Sequence, residues 1–326
     1  MAILLTEEDV KALLTMDDLI EAMEIALGDF SSGSVTQPVR TVLQVGARPA
    51  FYGLMPAYMP SRPALGTKLV TVFESNAERG LPTHLATIIL LDPETGALLA
   101  LMDGRYITEA RTAAVSAVSV QRLAKEDATT LAIVGSVVQA RSHLEAISRV
   151  VELREVRVWS RKRAHVERFI ADVGAHTEAR VVAATSARAA VDGADIVALV
   201  TSAKEPVVLG DWIADGTHVC AVGACRPNQR EMDAALVARS DLYVDSRAAA
   251  LVEAGDIVLA IGDGAIDASH IKAELGDVVN GKAPGRTDEG RVTIFKSLGL
   301  AVEDVAAAHL VYQRARDRSV GIEVRL

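Results

Sequence analysis

Two short segments carry residues whose types and spacing suit the binding of a phosphate anion. Val134-Gly135-Ser136-Val137-Val138-Gln139-Ala140 follows the apolar run Leu131–Val134 and opens a helical pattern. A strand, a glycine, a small residue and a helix start aim backbone N–H groups and a positive dipole end at a pyrophosphate. Gly135, Ser136, Val137, Val138 and Gln139 are therefore candidate dinucleotide contacts. The fingerprint G-x-G-x-x-G is broken at Val137, where glycine ordinarily lets the backbone approach the phosphates. The next strand, Val156–Trp159, runs into Ser160-Arg161-Lys162-Arg163. A carboxylate at that place holds the ribose 2′-hydroxyl of NAD, whereas cations hold the 2′-phosphate of NADP. Here stand a hydroxyl and three cations, at a helix start where the dipole disfavours positive charge, so a bound anion accounts for them. Ser160, Arg161 and Arg163 thus favour NADP(H), with NAD(H) the alternative.

These segments need a scaffold, and the pattern around them supplies one. From Thr130 onward short β-branched runs alternate with helical stretches. The runs are Leu131–Val134, Val156–Trp159, Arg180–Ala183, Ile196–Val200, His218–Val222 and Leu242–Val244, with helices such as Ala140–Val151 and Ala164–Val173 between them. That rhythm predicts an α/β, Rossmann-type, doubly wound parallel sheet covered on both faces. Thr201 and Ser202, and Val222 and Gly223, fall at later strand ends and are expected beside the cofactor.

The first third reads differently. Thr6 and Thr15 cap two helices, Thr41–Val45 and Thr67–Val72 read as strands, and Asp92-Pro93-Glu94-Thr95-Gly96 joins two apolar runs in a hairpin. An α+β unit is expected there, with Leu85–Leu91 a buried strand and Leu54-Met55-Pro56-Ala57 a pocket-shaping loop. Residues 108–124 read as a connecting helix. The helical pattern Ser297–Arg318 is expected to return to the first domain.

Composition bounds the rest. The 326 residues allow about two domains. Half are hydrophobic and 24% charged, which excludes disorder. A net charge of −9 argues against nucleic acid or anionic membrane as partner. Seven His and two Cys leave little for a metal cage or a disulfide framework, so no metal is expected. The start lacks a signal-peptide pattern and no run approaches a membrane span, so the expected compartment is the cytoplasm.

Taken together, the segments resemble a known family. Gly135-Ser136-Val137-Val138-Gln139-Ala140-Arg141-Ser142-His143-Leu144-Glu145-Ala146 is similar to the G-x-G-x-Q-A…H-L-E-A block of the ornithine cyclodeaminase/mu-crystallin family. So are Arg111-Thr112-Ala113-Ala114, Gly223-Ala224-Cys225-Arg226-Pro227 leading into Arg230-Glu231-Met232-Asp233, and Phe295-Lys296-Ser297-Leu298-Gly299. The likeness spans nearly the whole chain in the correct order. It implies a Rossmann domain over residues 121–303. A substrate and dimerisation domain over residues 1–120 would be completed by 304–326, in a homodimer.

The resemblance also implies roles. Arg40, Lys68 and Arg111 match the substrate-carboxylate and catalytic positions, and a guanidinium offers a carboxylate two parallel hydrogen bonds. Lys68 lies in an apolar strand and Arg111 in an Ala-rich helix, poor settings for a lone charge. His84 is placed as proton donor or pocket wall. Cys225 stands where cyclodeaminases keep an aspartate and Gln229 where they keep a lysine, so cyclodeamination is disfavoured. The expected activity is NADPH-dependent reduction of a small 2-imino acid, such as 1-pyrroline-2-carboxylate or an acyclic imine, to an L-amino acid. The proton donor stays open among Lys68, His84, Cys225 and water. An alanine-type dehydrogenase or an ornithine cyclodeaminase is the alternative within the family. A non-catalytic, mu-crystallin-like binding protein is the alternative of another class.

Overall fold

The computed structural model describes residues 1–46, 50–135, 138–174 and 177–325. In chain order the strands are β1 (Ala2–Leu5), β2 (Thr41–Gln44), β3 (Ala50–Met59), β4 (Ala64–Phe73), β5 (His84–Leu91), β6 (Leu98–Asp103), β7 (Thr130–Val134) and β8 (Glu155–Trp159). They continue with β9 (Arg180–Ala183), β10 (Ile196–Leu199), β11 (His218–Ala221), β12 (Asp241–Val244), β13 (Ile271–Glu274), β14 (Thr293–Lys296) and β15 (Ile322–Val324). The residues group into two compact units, Met1–Arg111 with Gly299–Leu326, and Thr112–Leu298. The divisions fall within the helix Arg105–Leu123 and just ahead of the helix Ala301–Arg318, not at 120/121 and 303/304.

The first unit is a seven-stranded sheet among the described residues, in the order β15-β1-β6-β5-β4-β3-β2. Its neighbours are antiparallel except β1 and β6. The C-terminal helix Ala301–Arg318 packs on β3, β4 and β5 and on the helix Met16–Ser31. Only one face of β5 is covered, because Ala86, Ile88 and Leu90 are buried while Leu85 is exposed. The buried strand expected at Leu85–Leu91 is therefore a strand, but corrected to one buried on a single face. Leu54–Ala57 is corrected as well, from loop to strand: all four residues lie in β3, paired with Gly66–Leu69 of β4. Pro56 is tolerated because its nitrogen points to the β2 side, as the Tyr58 N–H bonding Thr36 O does, and β2 reaches only as far as Leu54.

The second unit is an eight-stranded parallel sheet among the described residues, β13-β12-β14-β11-β10-β7-β8-β9. Chain order reverses at β7, which has β8 on one side and β10 on the other. In such sheets ligands bind beyond the strand C-termini at this switch point. Two strands, β13 and β14, add to the six read from the sequence. Apolar layers cover both faces, one built around Val134, Leu199, Val219 and Ile257, the other around Leu131, Ile133, Phe169 and Ile196.

Candidate active site

In the first unit β4 runs between β3 and β5 and carries Lys68 midway, opposite Met55 and Ile88. The C-terminal helix lays its first turn beside it. Acidic side chains suit that turn, because the helix dipole is positive there. Lys68 Nζ meets Asp304 Oδ2 at 2.6 Å. The Arg111 Nε donates to Asp304 Oδ1 at 3.1 Å and its Nη1 to Glu303 Oε2 at 2.6 Å. All four side chains are buried: Lys68 is 1% exposed and Arg111 4%. Gly299 precedes the helix at φ +82°, and a Cβ there would lie 2.3 Å from Arg111 Nη1, so the guanidinium occupies the space a side chain would take. The Gly299 carbonyl accepts from Arg40 Nη2 at 2.9 Å. Arg40, Lys68 and Arg111 thus converge on one segment, where three cations face two carboxylates.

Burial dominates the Lys68 ammonium and pulls its pKa down from 10.5 to about 8, against the pull of Asp304 and with the help of Arg111 and Arg40. A lysine near neutrality can give and take a proton at working pH. His84 does not join this group. It opens β5 exposed, opposite Val72, four residues along from the Ile88 that pairs with Lys68, a strand length of about 14 Å. Its Nδ1 stands 3.2 Å from Thr83 Oγ1.

In the second unit the turn after β7 fits a dinucleotide. Gly135 has φ +125°, and a Cβ there would come 2.7 Å from Val200 Cγ2 and 2.8 Å from Val200 O. Only glycine makes that turn. The helix Val138–Ser148 follows, and Gln139 Oε1 is a buried acceptor with no hydrogen-bond partner among the described residues. Ser136 and Val137 lie outside the described residues. Beyond β8 and β9 a pocket is lined by Trp159, Ser160, Arg161, Arg163, Ala183 and Thr185. Arg163 donates to Glu167 Oε1 at 2.9 Å along its own helix, whereas Arg161 makes no ion pair among the described residues. These features suit an adenosine end at the pocket and a pyrophosphate at the helix start.

The ends of β10 and β11 carry Thr201 and Ser202, and Val222, Gly223 and Cys225. Ser202 and Cys225 are exposed, and the Cys225 thiol donates to Val222 O at 3.2 Å. Beneath them lies a charged group the sequence reading missed. Glu231 is fully buried and accepts from Thr201 N, Gly223 N and Ala224 N. Asp256 accepts from the Glu231 and Met232 N–H groups, and Lys296 Nζ meets its other oxygen at 3.0 Å. Burial pushes the Glu231 carboxyl up to about 7, with Lys296 opposing and Asp256 adding. Glu303 and Asp304 were missed likewise. A local signal exists only in part: Glu303 and Asp304 lie between Val302 and Val305 and Lys296 follows Ile294-Phe295, whereas Glu231 sits in the charged run Arg230-Glu231-Met232-Asp233.

A chain that holds both a parallel nucleotide-type sheet and a unit with a buried Lys/Arg/carboxylate cluster has the pattern of a Rossmann oxidoreductase. The chain belongs to the ornithine cyclodeaminase/mu-crystallin family, whose pattern matches residues 1–319. It is 44% identical over 314 residues to the ketimine reductase mu-crystallin of Mus musculus, covering 95% of this chain and 96% of that one. Among solved structures it is similar to the Thermococcus litoralis Delta(1)-pyrroline-2-carboxylate reductase in complex with NADH and L-proline. That likeness has a TM-score of 0.96 at 38% identity, over 99% of this chain and 100% of the other. An archaeal alanine dehydrogenase dimer with bound NAD gives 0.94 at 30% identity, over 99% of each chain.

Proposed function

We propose that this protein is an NAD(P)H-dependent reductase of small 2-imino acids, cyclic ketimines of the 1-pyrroline-2-carboxylate type foremost, giving the L-amino acid. The observation that carries the reading is the convergence of Arg40, Lys68 and Arg111 on the Gly299–Asp304 segment. Three cations against two carboxylates leave one positive charge, which suits a substrate carboxylate. A bound nicotinamide supplies the hydride that reduces the C=N carbon. Arg40 and Arg111 hold the carboxylate and so orient the imine. The ammonium of Lys68 gives a proton to the imine nitrogen, and Asp304 keeps Nζ in place for it.

NADPH is the proposed reductant over NADH, supported by Arg161 and Ser160 in the pocket beyond β8. Gly135, Val138, Gln139, Thr201 and Gly223 are the proposed contacts to the rest of the cofactor, with Ser136 and Val137 of the same turn. Cys225, whose thiol donates to Val222 O where a cyclodeaminase aspartate would stand, supports reduction over ring-closing deamination. A homodimer is proposed from the named alanine dehydrogenase dimer. It is supported by the exposed apolar side chains Val42 and Leu43 on the edge strand β2 and Val39 and Val45 flanking it. Light scattering on the eluted protein checks it, a monomer mass counting against it. We place the enzyme in the cytoplasm, where Cys220 and Cys225 stay reduced. Among the described residues no helix is long and apolar enough to cross a membrane. The reductase reading is tested by following NADPH and NADH oxidation with a panel of cyclic and acyclic 2-imino acids.

A further inference from the structure

We propose that Glu231 is a positioning residue that locks the two loops carrying Thr201 and Gly223 into the shape that receives the cofactor. This rests on the reductase reading. The geometry is a chain of contacts across three neighbouring strand ends. Gly135 after β7 presses on Val200 after β10, as described above. Gly223 after β11 presses in turn on Thr201, where an added Cβ would come within 1.8 Å of Thr201 O. Only backbone lies between these loops, and the Val222 and Gly223 N–H groups reach back to Leu199 O at the end of β10, leaving the Thr201 and Ala224 N–H groups to be met from elsewhere. Glu231 meets both. One carboxylate oxygen accepts the Thr201 N–H at 2.5 Å, and the other accepts Gly223 N–H at 2.7 Å and Ala224 N–H at 3.2 Å.

The backbone that carries this carboxylate is itself held from behind. Asp256 Oδ1 takes the Glu231 N–H at 2.8 Å and the Met232 N–H at 3.3 Å. Its Oδ2 pairs with Lys296 at the end of β14. The charged and titratable groups around Glu231 are therefore Asp256 and Lys296, with Cys225 acting on Lys296 from the same loop. A carboxylate offers acceptors to both loops. A carboxyl or carboxamide offers a hydrogen to one of them instead, which repels the N–H it faces. Protonation or amidation of Glu231 thus releases one loop while leaving the packed strands intact.

The test is NADH binding to the whole protein, followed by fluorescence or calorimetry between about pH 6 and 8, in wild type and Glu231→Gln. NADH is used because it lacks a 2′-phosphate that titrates in the same range. The expected result for Glu231→Gln is a dissociation constant raised roughly 10–100-fold, the loss of one charge-assisted bond. The thermal melt should stay cooperative, and the KM for the imino acid should change less than the KM for NADH. Wild-type affinity should fall as pH drops through about 7, and that dependence should vanish in the variant. A variant that binds NADH like the wild type overturns the proposal while leaving the reductase reading standing. Wild type that binds neither NADH nor NADPH overturns both. Should Glu231→Gln fail to fold, wild-type affinity that is flat across this pH range overturns the proposal by itself.

Discussion

Lys68 Nζ and Asp304 Oδ2 stand 2.6 Å apart, one on the middle of β4 and the other in the first turn of the C-terminal helix, both sealed from solvent. The pair brings the two ends of the chain's first unit together at its chemistry. Asp304 also takes the Arg111 Nε–H, so one carboxylate fixes both the proposed proton carrier and the proposed carboxylate clamp.

The first prediction concerns the proton. With burial holding the Lys68 pKa down at about 8, the rate of imine reduction should fall as pH rises through that value, because the ammonium is the proposed donor. Lys68→Arg stays charged throughout and should lose that limb together with about 10²–10⁴ of kcat. Asp304→Asn removes the partner that raises the Lys68 pKa, so the limb should move to lower pH. An unshifted limb in Asp304→Asn would show that another group carries the proton.

Arg111→Lys keeps a charge near Glu303 and Asp304 but loses the planar fork. It should raise the KM for the imino acid about 10–100-fold, with NADPH affinity unchanged. Arg111→Ala also takes away the guanidinium that two buried carboxylates hold, and about 3–5 kcal/mol of stability should go with it in a denaturant melt. Gly299→Ala should resemble Arg111→Lys, since its Cβ would drive into the guanidinium. Equal loss of cofactor affinity in Arg111→Lys would remove Arg111 from the substrate side.

How much of this was legible beforehand differs from place to place. Residues 130–244 declared themselves by β-branched runs alternating with helices, because a parallel sheet buried on both faces demands that pattern. β3 did not, because Pro56 reads as a breaker, and only its nitrogen's direction beside a short β2 makes it harmless. Arg40, Lys68 and Arg111 were legible through the family likeness. Glu303, Asp304, Glu231 and Lys296 were not, since acidic residues at a helix start read as capping and charges beside a loop read as solvated. Their burial comes from tertiary packing, which one chain position cannot reveal alone.

Cofactor choice is predicted to reside in Arg161. Arg161→Ala should weaken NADPH binding about 10–100-fold and leave NADH binding nearly unchanged. Wild-type NADPH affinity should also fall more steeply with salt than NADH affinity, since the pocket is open to solvent. Equal losses for both cofactors would mean that Arg161 does not read the 2′-phosphate.

Stability should fall in mild acid. His143 and His218 are buried and neutral, with burial pulling their pKa values down to about 4 and about 3. Below the ordinary value of 6.5 the unfolded chain takes up two protons that the fold refuses. Glu231, raised to about 7, takes one up in the folded state and offsets one of the two. On balance the unfolded chain binds more protons than the fold, so stability should fall as pH drops from roughly 6.5 to 4.5. Urea melts at steps across that window should show it, and a flat profile would mean that the histidines are not buried as described.

The most direct test of the central claim is a single assay. Purified protein, NADPH and 1-pyrroline-2-carboxylate are mixed, and the loss of reduced nicotinamide absorbance is compared with proline formed. Equal amounts of the two are expected, with Lys68→Met slower by about 10² or more at unchanged NADPH affinity. A wild-type protein that binds NADPH yet oxidises none of it with this or any other 2-imino acid would contradict that claim.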